Sequence, residues 1–139
     1  MTALSAVAGS SLSYLSFART GVSDITPLAS ADELWRVDGS YTQVRDLDAL
    51  TQLPWLFELC FDGCSIEELS TPFAATYLRD VSLADTPVRD LSGLSGCAEL
   101  EELNLGGCAQ VHDMGWLAAS CRETLEGLNL SRTGLDAEA

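Results

Sequence analysis

Two pairs of residues in this chain of 139 residues have the spacing of half a zinc site. Cys60 lies four residues before Cys64, and Cys108 lies four residues before His112. Thiolate sulfur and imidazole nitrogen are ligands that zinc prefers in proteins. Either pair could bind a metal only if its two side chains point to the same side of the backbone, and the surrounding pattern must decide that.

His112 is also the only histidine, so it is the only imidazole that could act as a general base. No neighbour completes a base–nucleophile pair with it, because Asp113 belongs to a separate acidic column. The sequence also lacks the G-x-S-x-G, P-loop and H-E-x-x-H motifs. We therefore predict a protein that is not an enzyme, has no catalytic residues and uses no cofactor.

The acidic column consists of five residues at intervals of 22 or 23 positions: Asp24, Asp46, Glu68, Asp90 and Asp113. Carboxylates stacked one strand spacing apart, about 4.8 Å, could suggest a calcium site. They also repel one another by about 0.9 kcal/mol per pair in water, and no D-x-D-x-D-G calcium loop is present. A carboxylate just before a turn can instead accept backbone N–H groups as a cap. We predict that the column caps outer turns and that the chain holds no metal.

A repeat that covers nearly the whole chain positions these residues. Its segments start at Leu12, Leu34, Leu56, Leu78, Leu100 and Leu125. Three positions after each start the residue is leucine or valine, five after it is mostly phenylalanine or leucine, and eight after it is threonine or cysteine. Apolar residues that alternate around a short strand point one way, into a core. Each unit is too small to fold alone, so stacked neighbours must bury a continuous core.

The pattern resembles the leucine-rich repeat family, whose L-x-x-L-x-L-x-x-N/C-x-L motif returns roughly every 20–29 residues. The first four repeats are similar to the short class of internalins and phosphatase regulatory subunits. The repeat that starts at Leu100, with Cys108 and Cys121, is similar to the cysteine-containing class of F-box proteins. The resemblance implies an α/β, right-handed leucine-rich-repeat solenoid, in which short parallel strands form a concave sheet and irregular or short helical turns lie on the convex side.

In this frame the chain is predicted to form a single array over residues 1–139, with a partial repeat over residues 1–11. Pro72 replaces a leucine of an outer segment, so that segment should be less regular. The stretch from Trp116 to Glu126 could form a helical turn. Residues 1–18 carry no charge, but their serine content and the lack of a basic start argue against a signal peptide or a membrane segment.

The repeat frame also bears on the zinc hypothesis. Cys60 is expected to face the concave surface, whereas Cys64 should turn into the core, so the two thiols diverge. Cys64 and Cys108 are interpreted as interior ladder residues in the column where the family usually has asparagine. No zinc site is therefore predicted.

The resemblance also implies a binding surface, because the non-leucine strand positions of leucine-rich repeats line the concave side, where ligands usually bind. The predicted partner-binding residues are Tyr14, Trp35, Arg36, Asp38, Tyr41, Phe57, Glu58, Asp62, Asp80 and Glu102. Aromatic residues and arginine, which are enriched at binding hot spots, occupy the first three repeats, and acids dominate the later ones. We predict a non-enzymatic scaffold that binds a partner protein, with no small-molecule substrate.

Charge and cysteine content narrow the partner and the compartment. The chain has 21 acids against 7 bases, a net charge of −14. Six acids and three arginines precede residue 58, whereas fifteen acids and four arginines follow from there, so the later half is the more acidic. A basic protein partner is expected, and direct electrostatic binding of nucleic acid or an anionic membrane is not. Five cysteines, an odd number, favour an intracellular, reducing and thus cytoplasmic location.

Two other functions remain open at the level of the sequence. The cysteine-containing repeat is typical of a substrate-recognition segment of an F-box-type ubiquitin ligase. The two ends of the array lack the polar caps that keep solenoids soluble. Such ends are expected of a segment of a longer array or of a structural subunit in a large multiprotein assembly.

Overall fold

The computed structural model describes residues 4–75, 77–117 and 124–135. In these ranges the chain forms six strands of three residues each, numbered here in chain order. They are β1 (Tyr14–Ser16), β2 (Arg36–Asp38), β3 (Glu58–Cys60), β4 (Asp80–Ser82), β5 (Glu102–Asn104) and β6 (Gly127–Asn129). The middle residue of each strand is the leucine or valine of the repeat, so its two neighbours point to the opposite face.

All six strands are parallel, and each pairs with the next in chain order. Tyr14 of β1 pairs with Arg36 of β2, which pairs in turn with Glu58 of β3, so the register advances by one repeat per strand. Between β5 and β6, Glu102 pairs with Gly127, and the longer offset absorbs the extra residues of that repeat. The solenoid of short parallel strands that the repeat pattern implies is thus confirmed.

The core consists of ladders in which equivalent residues of successive repeats stack. One ladder, made of repeat-start leucines that are fully buried, contains Leu34, Leu56, Leu78 and Leu100. A second ladder contains Gly39 where other repeats have a large apolar residue. The rings of Phe17 and Phe61, from the repeats on either side, occupy this space with their centroids 6.1 Å apart in an edge-on arrangement. Aromatic rings thus fill a gap that the glycine leaves.

The threonine and cysteine column forms a hydrogen-bonded ladder beside the core. The hydroxyl of Thr42 donates to the carbonyl oxygen of Gly39 at 2.7 Å, and the thiol of Cys64 donates to the same oxygen at 3.1 Å. The arrangement recurs at Thr86, Cys108 and the carbonyl oxygen of Leu83. Since a carbonyl oxygen has two lone pairs, both donors are satisfied. The predicted interior positions of Cys64 and Cys108 are confirmed.

The outer side of the solenoid is built from short 3-10 turns over Ser5–Val7, Thr26–Ser30, Asp48–Leu50 and Ser92–Leu94. The described residues of the repeat that contains Pro72 have no such turn. There the backbone N–H of Phe73 donates to Gly93 at 3.1 Å, and the N–H of Gly93 donates to Leu69 at 2.6 Å. Hydrogen bonds to the next repeat therefore replace the local turn, and the less regular outer segment is confirmed.

Two features of the sequence fall on residues that the structure does not describe. The predicted helical turn from Trp116 to Glu126 includes residues 118–123, and Cys121 of the cysteine-containing repeat lies in the same stretch. Within the described ranges, no helix has both the length and the apolar character that a membrane crossing requires.

Candidate interaction surface

The outward residues of the strands form one continuous surface, which we call the concave face. It surrounds a shallow cavity of about 550 Å³. Its outward-pointing residues are Arg36, Asp38, Glu58, Cys60, Asp80, Ser82, Glu102, Asn104, Gly127 and Asn129. Five members of the predicted binding set therefore share this face: Arg36, Asp38, Glu58, Asp80 and Glu102.

Three carboxylates stand side by side on this face and form what we call the acidic row. Glu58 pairs in register with Asp80, and Asp80 pairs with Glu102. Arg36 neutralises one end of the row, because its Nε lies 3.1 Å from a carboxylate oxygen of Glu58. Neither Asp80 nor Glu102 has an ion-pair partner in the described part of the chain. Two adjacent negative charges are thus left available to a ligand.

The surroundings of Asp80 disfavour its negative charge. Partial burial raises the pKa of this carboxyl group, and the neighbouring charges of Glu58, Glu102 and Glu101 raise it further, whereas Arg79 opposes them. Like charges that face one another across a sheet destabilise it. A cation bound over the acidic row would remove this repulsion.

Tyr14 extends the face at its first strand. The guanidinium carbon of Arg36 lies 4.8 Å from the centre of the Tyr14 ring, within the range of a cation–π contact. Tyr14, Arg36 and Glu58 therefore form one contiguous line across β1, β2 and β3. The structure brings these three members of the predicted set together.

Polar groups on and beside the concave face also form hydrogen bonds within the protein. A carboxylate oxygen of Asp62 accepts the hydroxyl of Ser82 at 2.5 Å and the backbone N–H of Ala84 at 2.9 Å. The thiol of Cys60 lies 3.1 Å from the hydroxyl of Ser40. Partial burial raises the pKa of the Cys60 thiol, so it is protonated and weakly nucleophilic near neutral pH. Asp62 and Cys60 serve the packing of neighbouring repeats, and Cys60 diverges from the buried Cys64 as expected.

Trp35 and Phe57 lie just before their strands, on the border that we call the leading edge. Here they line an open cavity of about 370 Å³ together with Trp55, Tyr77 and Arg79, and we call these five residues the aromatic groove. The Trp55 and Tyr77 rings are stacked with centroids 5.8 Å apart, and the Trp35 and Phe57 rings meet edge-on at 6.2 Å.

Sequence reasoning missed Trp55 and Tyr77. Both occupy the position immediately before a repeat-start leucine, a column that the leucine pattern does not include. Aligning that column as well would have shown two aromatic residues in successive repeats. Their convergence with Trp35 and Phe57 depends on the coiling of the chain.

Tyr41 lies on the opposite border, where the chain leaves the strands. Its φ of 58° places it in the left-handed region, which is uncommon for a residue with a side chain. The guanidinium carbon of Arg19 lies 4.7 Å from the centre of its ring. The Tyr41 ring also covers Gly63 of the next repeat, where any Cβ would collide with it. The structure therefore separates Tyr41 from the aromatic groove and from the acidic row.

The acidic column lies on the outer side and caps turns as predicted, with one exception. In four repeats an aspartate carboxylate accepts the backbone N–H two residues later, at distances of 2.7 to 3.1 Å. The aspartates are Asp24, Asp46, Asp90 and Asp113. The predicted cap is wrong for Glu68. Its carboxylate lies 3.1 Å from the guanidinium of Arg89, and its backbone forms a β-bridge with Asp90.

The pKa of the capping residue Asp90 and the pKa of Asp80 in the acidic row are shifted in opposite directions. The hydrogen bond from the Ser92 backbone lowers the pKa of Asp90, so this cap stabilises the fold above the usual aspartate pKa and is lost as the pH falls through its lowered value. For Asp80 the raised pKa means that stability declines as the pH rises through it. A carbon-13 NMR titration of the side-chain carboxyls should find Asp90 below and Asp80 above the usual value. The reverse order would contradict both assignments.

Solved structures with the same coiling identify the architecture. An internalin (inlF) of Listeria monocytogenes superposes with a TM-score of 0.89 at 23% identity, over 99% of this chain and 40% of that protein. Internalin C2 of the same organism gives a TM-score of 0.84 at 23% identity, over 98% of this chain and 57% of its own. This chain has a leucine-rich-repeat fold. A leucine-rich-repeat protein of Leptospira interrogans matches with a TM-score of 0.68 at 16% identity, over 91% and 33%.

The leucine-rich-repeat region seen here therefore spans between a third and about three-fifths of the length of these proteins. A scan of the sequence against protein-family models finds no match, and a search of curated proteins finds none. The comparison thus concerns the fold.

Proposed function

We propose that this leucine-rich-repeat chain is a non-enzymatic scaffold that binds a partner protein on its concave face, and that the partner presents a basic surface there. The observation that carries the proposal is the acidic row, in which two of three adjacent carboxylates lack an ion-pair partner among the described residues. Paired strands hold these charges in a fixed array, and complementary charge sets both the orientation and the association rate of a partner.

The arrangement supports recognition of a cation more than catalysis. Burial and the adjacent acids raise the pKa of Asp80, and a bound guanidinium or ammonium group would lower it again. Cys60, the thiol on the same face, is held protonated by its surroundings. Among the described residues, no three His, Cys, Asp or Glu side chains come together as a metal site.

We further propose that the protein works in a reducing, intracellular setting. The buried thiols of Cys64 and Cys108 each donate a hydrogen bond to a backbone carbonyl, a role that requires the reduced form. Oxidation of either sulfur would remove that donor and enlarge a side chain that has no room to expand.

The proposal is tested by removing two charges from the acidic row. Replacing Asp80→Asn together with Glu102→Gln should weaken binding of a short arginine-rich peptide by about thirtyfold, because each close charge pair contributes roughly 1 kcal/mol in a water-like medium. Isothermal titration calorimetry at two salt concentrations measures this loss. Binding of the unmodified chain should also weaken as salt rises.

A matched control removes the same number of charges elsewhere. Glu67 and Glu68 are exposed and lie near Arg89 on the other side of the solenoid. The change Glu67→Gln with Glu68→Gln should leave peptide binding nearly unchanged. An equal loss in both double variants would mean that only net charge matters, and the concave face would then not be the binding site.

A further inference from the structure

The aromatic groove exposes more apolar ring surface than the fold requires. Trp35, Trp55 and Tyr77 are 41%, 56% and 49% exposed, although aromatic side chains of this size are normally covered. The Trp55 and Tyr77 rings stack on each other, and the Trp35 ring meets that of Phe57 edge-on. The guanidinium of Arg79 lies 5.2 Å from the centre of the Phe57 ring. Exposed and ordered apolar surface of this kind marks an interaction site.

Three backbone carbonyl oxygens at the floor of this groove already accept two hydrogen bonds each. The carbonyl oxygen of Trp35 accepts the N–H groups of Phe57 and Glu58, and that of Phe57 accepts those of Arg79 and Asp80. The carbonyl oxygen of Arg79 likewise accepts the N–H groups of Glu101 and Glu102. Each oxygen has used both lone pairs. The N–H groups of a ligand would therefore find no acceptor at these three oxygens.

The side chains of the groove carry mainly hydrogen-bond donors. Trp35 and Trp55 carry indole N–H groups, and Arg79 carries a guanidinium whose Nε has no partner among the described residues. Of the five lining side chains, only the phenol of Tyr77 can accept a hydrogen bond. The complementary ligand is therefore apolar, rich in carbonyl oxygens and poor in N–H groups.

We infer that the aromatic groove binds a proline-rich segment in the polyproline II conformation, with a basic residue beside it that reaches the acidic row. Proline lacks the backbone N–H that would be left unsatisfied, and its carbonyls are free because polyproline II has no internal hydrogen bonds. Stacked aromatic rings are the surface on which such segments dock. The cavity of about 370 Å³ suits only a short segment.

The negative charge of the acidic row specifies which residue of the ligand lies next to its prolines. Phe57 and Arg79 of the groove immediately precede Glu58 and Asp80 of the acidic row, so the two surfaces are continuous along β3 and β4. An arginine or lysine of the ligand next to its prolines would lie over Asp80 and Glu102, the two carboxylates of the acidic row that have no ion-pair partner among the described residues. This part of the inference rests on the proposed function, because it needs the acidic row to bind a cation.

The test uses the whole chain and three short synthetic peptides. The first joins a proline-rich half to an arginine-rich half, the second replaces its prolines with alanine, and the third replaces its arginines with glutamine. NMR spectra report binding through the indole N–H signals of the three tryptophans. The first peptide should shift the signals of Trp35 and Trp55, and that of Trp116, which lies outside the groove, should stay in place as an internal control.

Two matched tyrosines provide the variant and its control. Tyr77 in the groove and Tyr41 on the opposite border are 49% and 48% exposed. We expect Tyr77→Ala to weaken binding of the first peptide by about thirtyfold, as for a hot-spot residue, and Tyr41→Ala to leave it unchanged. Trp55→Ala, at a residue that is 56% exposed, should act like Tyr77→Ala. Thermal unfolding verifies that each variant is folded.

The outcomes separate this inference from the proposed function. If the alanine peptide binds as tightly as the proline peptide, or if Tyr77→Ala and Tyr41→Ala behave alike, the groove does not recognise proline and the inference is overturned. If the glutamine peptide still shifts the indole signals of Trp35 and Trp55 as strongly as the first peptide does, the groove binds the prolines but the acidic row is not part of the site. If only the arginine-containing peptides bind and no tryptophan signal moves, the proposed function stands and the groove is excluded.

Discussion

Replacing Gly39 with leucine should lower the free energy of unfolding by about 3 kcal/mol, although leucine is what the repeat pattern favours in that column. Even a Cβ at Gly39 would collide with the Phe61 ring and lie 2.7 Å from two atoms of the Phe17 ring. Both rings are buried, at 0% and 7% exposed, so neither can move aside into solvent. A protein interior as dense as a crystal cannot absorb four extra carbons there.

Thermal and urea unfolding measure this change, with a fall in melting temperature of roughly 10 °C. The matched control is Gly21→Ala, because nothing lies within 4 Å of a Cβ at that glycine. In a background with Phe17→Leu and Phe61→Leu, Gly39→Leu should cost far less, since the smaller side chains vacate the space that leucine needs. A melting temperature that rises on Gly39→Leu alone would show that the two rings do not fill this gap.

The second large effect is expected at Gly93, where two repeats touch through their backbones. Gly93→Ala should lower the free energy of unfolding by about 2–3 kcal/mol. The new Cβ would collide with the carbonyl oxygen of Leu69 and lie 2.5 Å from that of Thr71. These oxygens are part of the main chain, so relief requires the two repeats to separate. That movement would break the hydrogen bonds of Gly93 with Leu69 and Phe73.

Gly96 supplies the control for this variant. It lies three residues further on in the same repeat, and nothing is within 4 Å of a Cβ built there. Gly96→Ala should therefore be neutral or slightly stabilising, because alanine restricts the unfolded chain more than glycine does. Hydrogen exchange should also find faster exchange of the Phe73 amide in Gly93→Ala. Equal stability of the two alanine variants would refute the close approach at Gly93.

Much of the architecture could be read from periodic columns. Val37, Leu59 and Val81 recur at one repeat spacing, and such a spacing requires parallel strands in register. The thiol of Cys64 could be placed inside for the same reason, and Asp90 could be assigned to a cap because a short carboxylate before a turn reaches the next N–H groups. Glu68 shares the column of Asp90 but pairs with Arg89, since its longer side chain reaches across to the next repeat.

The binding surface was predictable only in part. Arg36, Glu58 and Asp80 could be placed on the concave face because strand residues alternate strictly between two sides. Tyr41 could not be placed, since it follows the strand in a left-handed turn that the leucine pattern does not determine. Trp55 was missed because it precedes a repeat-start leucine, a column outside the leucine pattern, and because the ring that it stacks on, Tyr77, belongs to the next repeat.

By itself, the sequence determined the repeat length, the parallel sheet, the inward and outward residues and the acidic character of one face. These follow from periodicity, which is a property of the chain read locally. Only the tertiary structure decided that Phe17 and Phe61 fill the space over Gly39, that Gly93 admits the backbone of the repeat before it, and that Trp35, Trp55, Phe57 and Tyr77 form a groove. Each of these depends on atoms from different repeats at van der Waals distance, and such contacts are set by how successive coils pack against one another.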